Sequence, residues 1–299
     1  MIVSRTAQFS RVVQHFGLPL VSLLTWDVLV VVAFKVLHWE WVASEHIPLA
    51  LYGSAIGIVV AFRNNSAYSR WWEGRTIWGQ IVNSSRSLGR QVSAILNANP
   101  EMAAIQRKII YHQIAFVHAL RQQLRGRDSI AEIWGLLSPA ELAELGNEKN
   151  IPLALQRRIG EMVRDARQQG WIDSMEWHAI DRTLYDLMAS QGGAERLKNT
   201  PLPKQYDFYV ILFVQVYCLL LPIGMVRDLG WFTPLGSTVV GFMFLALDRI
   251  GRSLEDPFDN KAFDVPLTAI AKTIEVNLRQ MLGETELPQP EAPVNGVLW

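Results

Sequence analysis

His112 and His118, the run Glu176-Trp177-His178-Ala179-Ile180-Asp181 and the single cysteine Cys218 are the side chains whose types could support proton transfer, metal ligation or nucleophilic attack. The two histidines stand six positions apart. A zinc pair on a helix needs a spacing of four, so they read instead as helix-surface or interface residues. The Glu176–Asp181 set is one that any charged helix supplies. A lone cysteine permits neither an intrachain disulfide framework nor a multi-cysteine metal site. The chain has no Walker loop, no G-x-G-x-x-G and no G-x-S-x-G. No catalytic residue, metal or cofactor is expected, and the chain does not read as an enzyme.

A different kind of chemistry is written in the run Ile47–Phe62. Gly53, Gly57 and Ala61 recur at i, i+4, i+8, a stripe of small residues that lets another helix approach closely in lipid. One position on, Ser54, Ile58 and Phe62 form a parallel stripe, and Asn64, Asn65 and Ser66 carry the helix into polar character. A pore-lining helix of an oligomer needs this division: a tight lateral seam, and a second face whose side chains form rings about an axis. Apolar rings make a constriction that gates by dewetting. Ordinary helix packing, with Ser54 bonded to a backbone carbonyl, accounts for the same spacing.

These stripes need a bilayer to position them. Of 299 residues half are hydrophobic, 19% are charged and 11 are tryptophan, and the mean hydropathy is slightly positive. Lys plus Arg equal Asp plus Glu at 28 each, which argues against nucleic acid as a partner, because a binder carries a basic excess. That much apolar surface also excludes a disordered chain. Four apolar runs stand out: 18–37, which holds only Asp27 and Lys35 as charges, and 47–62, 208–225 and 231–247, which hold none. The first has the length of a bilayer crossing; the second, at 16 residues, must run on into the polar segment after it. No small-x-small cleavage site follows the first run, so it reads as a span and not a removed signal. Asp27 inside it is either a functional group or a carboxyl satisfied by a buried partner.

Positive residues orient the spans. Arg5 and Arg11 precede the first; the link to the second holds Glu40 and Glu45 and no Lys or Arg; Arg63, Arg70 and Arg75 follow the second. Lys198 and Lys204 precede the third, Arg227 beside Asp228 links it to the fourth, and Arg249 and Arg252 follow. Both termini are therefore expected inside a multi-pass protein of the cell membrane. Trp39, Trp41 and Trp231 sit at span ends, where interfacial indoles belong. The expected organisation is a cytosolic segment 1–17, transmembrane helices 1 and 2 over 18–62, a helical cytosolic domain 63–207, transmembrane helices 3 and 4 over 208–247, a cytosolic helical region 248–283 and a flexible Pro-rich tail 284–299. Helical recurrence over Trp71–Leu120 and a helix start at Ser138-Pro139-Ala140-Glu141 make the class all-α.

Ala61-Phe62-Arg63-Asn64-Asn65-Ser66-Ala67-Tyr68-Ser69-Arg70-Trp71-Trp72-Glu73 resembles the segment of bestrophins, particularly bacterial ones, where the second transmembrane helix enters the cytosol. Gly192-Gly193-Ala194-Glu195-Arg196-Leu197 and Thr200-Pro201-Leu202-Pro203 resemble the family's approach to its third span, and Leu254-Glu255-Asp256-Pro257-Phe258 resembles its Asn-Pro-Phe motif. These landmarks fall in family order over roughly residues 15–285. The resemblance implies a homopentameric ion channel with one pore on the fivefold axis, Ser54, Ile58 and Phe62 as its hydrophobic neck, Asn65 and Ser66 below it, and a cytosolic aperture near Met175. Ser54 departs from the usual apolar residue, which implies a shorter or wetter neck at its outer end.

Animal members are gated by calcium in an acidic clasp after the Pro-Phe pair. Here that region holds Asp256, Asp259, Lys261 and Asp264, with Lys261 where a carboxylate belongs, and a cation repels calcium. The expectation is a passive channel for small monovalent ions without calcium gating. Chloride is what family labelling implies; monovalent cations such as sodium are what one bacterial relative implies. The expected partners are copies of the chain itself, the permeating ions and the lipid bilayer. A secondary transporter, hinted at by Pro222-Ile223-Gly224, and a membrane-tethered signalling scaffold are the alternatives.

Overall fold

A computed structural model describes residues 1–2, 9–44, 46–96 and 100–299, with the backbone alone over 9–16. Arg5 and Glu45, and the side chain of Arg11, on which part of the orientation argument rests, lie outside the described residues. The described residues form helices α1 (Phe9–Lys35), α2 (Leu49–Ile95), α3 (Pro100–Leu124), α4 (Ser129–Glu132), α5 (Pro139–Leu145), α6 (Ile151–Gln168), α7 (Ser174–Asn199), α8 (Lys204–Leu229), α9 (Thr233–Glu255) and α10 (Leu267–Met281). Among them there are isolated bridges and no strands. The all-α expectation holds.

The chain divides into two compact units: Met1–Val3, Trp71–Thr200 and Pro257–Trp299 form one, and Ser4–Arg70 with Pro201–Asp256 form the other. The boundaries of these units fall after residues 70, 200 and 256. Within the second unit Arg63 pairs with both Asp207 and Asp248.

In that second unit two stretches are long and apolar enough to cross a membrane: Gly17–Lys35 in α1, and Lys204–Glu255, which comprises α8, a short 3-10 turn and α9. α8 and α9 are antiparallel, as their pairings show: Arg63 meets both Asp207 and Asp248, the Tyr217 ring packs edge-on to Phe244 at 4.9 Å, and Gly236 faces Leu229. α8 runs through Pro222 unbroken, so the one hint of a transporter's interrupted span is a continuous helix. Small residues set the approach of α1 to α9; a Cβ at Gly241 would lie 2.4 Å from Leu23 Cδ2. Buried Asp27 accepts hydrogen bonds from Ser237 Oγ and Thr238 Oγ1, both 2.9 Å, so α9 supplies the partners that the sequence left open.

The first unit is built on α3, whose residues from Ile109 to Gln122 are buried except Tyr111 because α6, α10 and α4 surround it. Trp78, Ile81 and Leu88 of α2, Leu155 and Ile159 of α6, and Ile274 and Leu278 of α10 close this core. Ser138 and Glu141 form the expected capping box on α5, and Asp173 and Glu176 form another on α7. Within residues 284–299, Asn295 and Gly296, both at positive φ, turn a small hairpin between Val294 and Val297, and Ala269 N–H donates to the Trp299 carbonyl at 2.7 Å. The Asn-Gly pair is a turn signal that the proline content obscured.

Candidate constriction on helix α2

Helix α2 turns two unlike faces outward and inward within the spanning unit. Val60 is 1% exposed, Arg63 1% and Ala67 0%, and with Ile56 they point at α8, α9 and α1, where Val60 joins Leu23, Val210, Val214 and Cys218. Ile58 is 59% exposed and Phe62 66%. Each is two residues from Val60, about 200° round the helix. Ser54 and Asn65 are exposed on the same side, and Ser66 is half-buried. The spacing of Ser54, Ile58 and Phe62 thus corresponds to one face that the described residues leave uncovered.

The hydroxyls on that face are tied to the helix itself. Ser54 Oγ donates to the Ala50 carbonyl at 2.7 Å, Ser66 Oγ to Phe62 O at 3.0 Å and Ser69 Oγ to Asn65 O at 2.9 Å. The small-residue stripe divides: a Cβ at Gly53 would stand 2.6 Å from Tyr217 Oη of α8, whereas one at Gly57 meets no atom within 4 Å, and Ala61 is exposed. Among the described residues, Gly53 seats α8 while Gly57 meets no such neighbour.

What sequence reasoning missed lies one residue beyond Phe62. Arg63 Nη1 donates to Asp248 Oδ1 and to the Asp248 carbonyl, each 2.9 Å, and Nη2 donates to Asp207 Oδ1. Asp248 also pairs with Arg252. Asn64 Nδ2 donates to Leu247 O at 2.8 Å. The signal was present in the sequence: an arginine follows one apolar run, an aspartate precedes the run 208–225 and another follows the run 231–247.

The remaining candidates lie in the first unit or on its border. Met175, 76% exposed, is in the first turn of α7. Asp259 bridges two ammonium groups, Lys198 Nζ and Lys261 Nζ, both at 2.6 Å, and Asp264 accepts the Lys261 backbone N–H at 2.9 Å. Asp256 closes α9 as its C-cap residue. Phe258 is fully buried, its ring against Gly74 of α2, where a Cβ would come within 3.1 Å. Trp71 Nε1 donates to the Phe263 carbonyl at 2.9 Å, and in the spanning unit Arg70 Nε donates to Glu255 O at 2.9 Å.

The acid–base candidates have structural employment. Glu176 accepts the Asp173 N–H at 2.9 Å as half of a cap, while His178 and Asp181 face solvent. His112 and His118 are buried, a correction to their expected surface placement, because α3 is enclosed on every side and its spacing selects no outward face for them. His118 Nε2 lies 3.1 Å from Glu275 Oε2 and His112 Nε2 3.6 Å from Glu141 Oε1. Burial alone would raise the Glu275 carboxyl, but the bond from His118 and the Lys272 ammonium outweigh it and hold the group at about 2. Burial pushes the His112 imidazole below its usual range. Among the described residues no three metal-ligating side chains gather.

The sequence profile of bacterial and fungal bestrophin proteins matches residues 4–280. The chain belongs to this bestrophin family. A bacterial bestrophin homologue from Klebsiella pneumoniae, solved by crystallography, superimposes with a TM-score of 0.85 at 31% identity, covering 89% of this chain and 98% of that one. Among relatives, the voltage-dependent anion channel-forming protein RSc3414 of Ralstonia nicotianae is 36% identical over 273 residues, 90% of this chain and 88% of its own. The voltage-dependent anion channel-forming protein YneE of Salmonella typhi is 31% identical over 287 residues, 95% and 90% of the two chains. The bestrophin landmarks of the sequence thus have places in the structure: Pro257-Phe258 over Gly74, and Arg70 and Trp71 on main-chain carbonyls.

Proposed function

We propose that this bestrophin is a passive, homopentameric channel of the cell membrane that conducts small monovalent ions through a neck of Ser54, Ile58 and Phe62. One observation carries the reading: two large apolar side chains, Ile58 and Phe62, stand exposed on the α2 face opposite the buried Val60. A single span facing lipid needs no such ordered stripe bounded by serine above and asparagine below. Rings of isoleucine and phenylalanine around an axis make a narrow passage whose wetting controls conduction. In this reading Gly57, where an added Cβ would meet none of the described residues within 4 Å, and the exposed Ala61 form the seam for the neighbouring copy. Asn65 and Ser66 rehydrate the ion below the neck, and Met175 lines a second, cytosolic aperture.

Anions are the permeant class that the names of the relatives carry to this chain. The Phe62 ring can present its positive edge to an anion, while the isoleucine ring discriminates by size and wetting. Sodium and other monovalent cations are the competing class, and reversal potentials under asymmetric salt in planar bilayers separate the two. Calcium has no role in this gating scheme, since the Lys198 and Lys261 ammonium groups already flank Asp259.

Reconstituted protein should pass downhill ion flux into liposomes that neither saturates nor requires a coupled ion. Ile58→Ala should raise single-channel conductance; an unchanged current and selectivity would remove Ile58 from the neck. Chelation should leave the current unaltered, and a current abolished by chelator and restored by calcium would overturn the reading of Lys261.

A further inference from the structure

We infer that Arg63 is the positioning residue of the constriction: its guanidinium, held by α8 and α9 at once, fixes the rotation of α2 that turns Phe62 away from the bundle. The inference rests on the channel reading.

Arg63 is enclosed, and its three bonds reach Asp207 near the start of α8 and both the carboxylate and the main-chain carbonyl of Asp248 near the end of α9. A planar fork can satisfy acceptors on two helices in one fixed orientation; an ammonium on a flexible stem cannot. The approach is also sterically set. A Cβ at Gly251 of α9 would fall 2.0 Å from Asn64 Oδ1 and 3.1 Å from Arg63 Nη1, so α9 closes on α2 only because residue 251 is glycine. Asn64 adds its bond to the Leu247 carbonyl.

Phe62 and Arg63 are adjacent, about 100° apart round the helix. Turning α2 by one position would withdraw Phe62 and pull the enclosed guanidinium off both carboxylates, while Asp248 keeps Arg252, so the unfavourable loss falls on the buried Arg63 charge. The cluster comprises Arg63, Arg252, Asp207 and Asp248, two charges of each sign, so it presents no net charge to a passing ion. Its contribution to permeation is geometric.

The test uses the full chain with Cys218→Ala, so that Phe62→Cys is the sole thiol, reconstituted in liposomes and exposed to a membrane-impermeant maleimide. Arg63→Lys in that background should change the labelling rate several-fold. In the chain that retains Phe62, it should alter single-channel current and shift the reversal potential. If Arg63→Lys lowers the melting temperature while labelling, current and reversal potential stay as in the parent, Arg63 only stabilises the fold and the inference is overturned. Where Arg63→Lys does not assemble, Asp207→Asn, which removes one acceptor's charge from the fork, is read the same way. Unchanged currents in both Ile58→Ala and Phe62→Ala would instead bring down the channel reading itself; changed currents there with an unaffected Arg63→Lys would bring down only the role of Arg63.

Discussion

In the unit formed by Trp71–Thr200 and Pro257–Trp299, α3 is enclosed by its neighbours, and one continuous core runs from Ile77 to Leu278. In the unit of α1, α8, α9 and the first turns of α2, the buried clusters are small, and Leu212, Phe213, Val216, Leu219, Leu235, Val239 and Met243 face outward. One chain therefore completes the first core by itself. The second leaves apolar surface far beyond what a water-soluble monomer exposes, which calls for lipid or further copies to cover it. The polar groups differ in the same way: the first unit seats buried histidines on carboxylates, while the second ties Asp27 to hydroxyls and Arg63 to two aspartates.

The contrast breaks first at large core residues. Trp78→Ala, at a fully buried site, should destabilise the first unit by about 3–5 kcal/mol, whereas Met243→Ala on the outward face of α9 should cost under about 0.5 kcal/mol for protein in detergent. Denaturant melts of the two variants decide it; equal losses would mean that the outward face is packed after all. A smaller effect sharpens the description of the spanning unit. Gly241→Ala forces a methyl to within 2.4 Å of Leu23 and should cost about 1–3 kcal/mol through a splayed α1–α9 contact, read as a lowered melting temperature.

Acid should act on the first unit through Glu275 and His112. The Glu275 carboxyl sits at about 2 in the fold against an ordinary 4.5, so its contribution is intact above 4.5 and is lost as pH falls from there towards 2. That contribution is about 1–2 kcal/mol after allowance for partial solvent screening. His112 works in the same direction, because burial opposes its protonation once the pH drops below 6.5. A pH series of melts on Glu275→Gln should lose the component between 4.5 and 2 and keep the one that sets in below 6.5. A further effect is local: Ser138→Ala removes half of the α5 capping box and should cost about 1 kcal/mol without touching ion flux.

Much of this architecture was legible where the cause is local. Hydrophobic runs marked α1, α8 and α9; Ser138-Pro139-Ala140-Glu141 marked the start of α5; and helical spacing placed Ser54, Ile58 and Phe62 on one face. Periodicity says which residues share a face but not which face the rest of the chain will cover. It could not show that Gly53 meets Tyr217 while Gly57 meets no atom within 4 Å, or that His112 and His118 lie inside.

Arg63 shows most clearly where sequence stops. By itself the sequence determined that an arginine ends the second apolar run, because charge and hydropathy are properties of neighbouring residues. Only the tertiary structure decided that this arginine is buried, since its partners Asp207 and Asp248 lie 144 and 185 residues further along the chain. An ionic hydrogen bond depends on distance and orientation in space, and the folding of α8 back along α9 brings all three groups within reach.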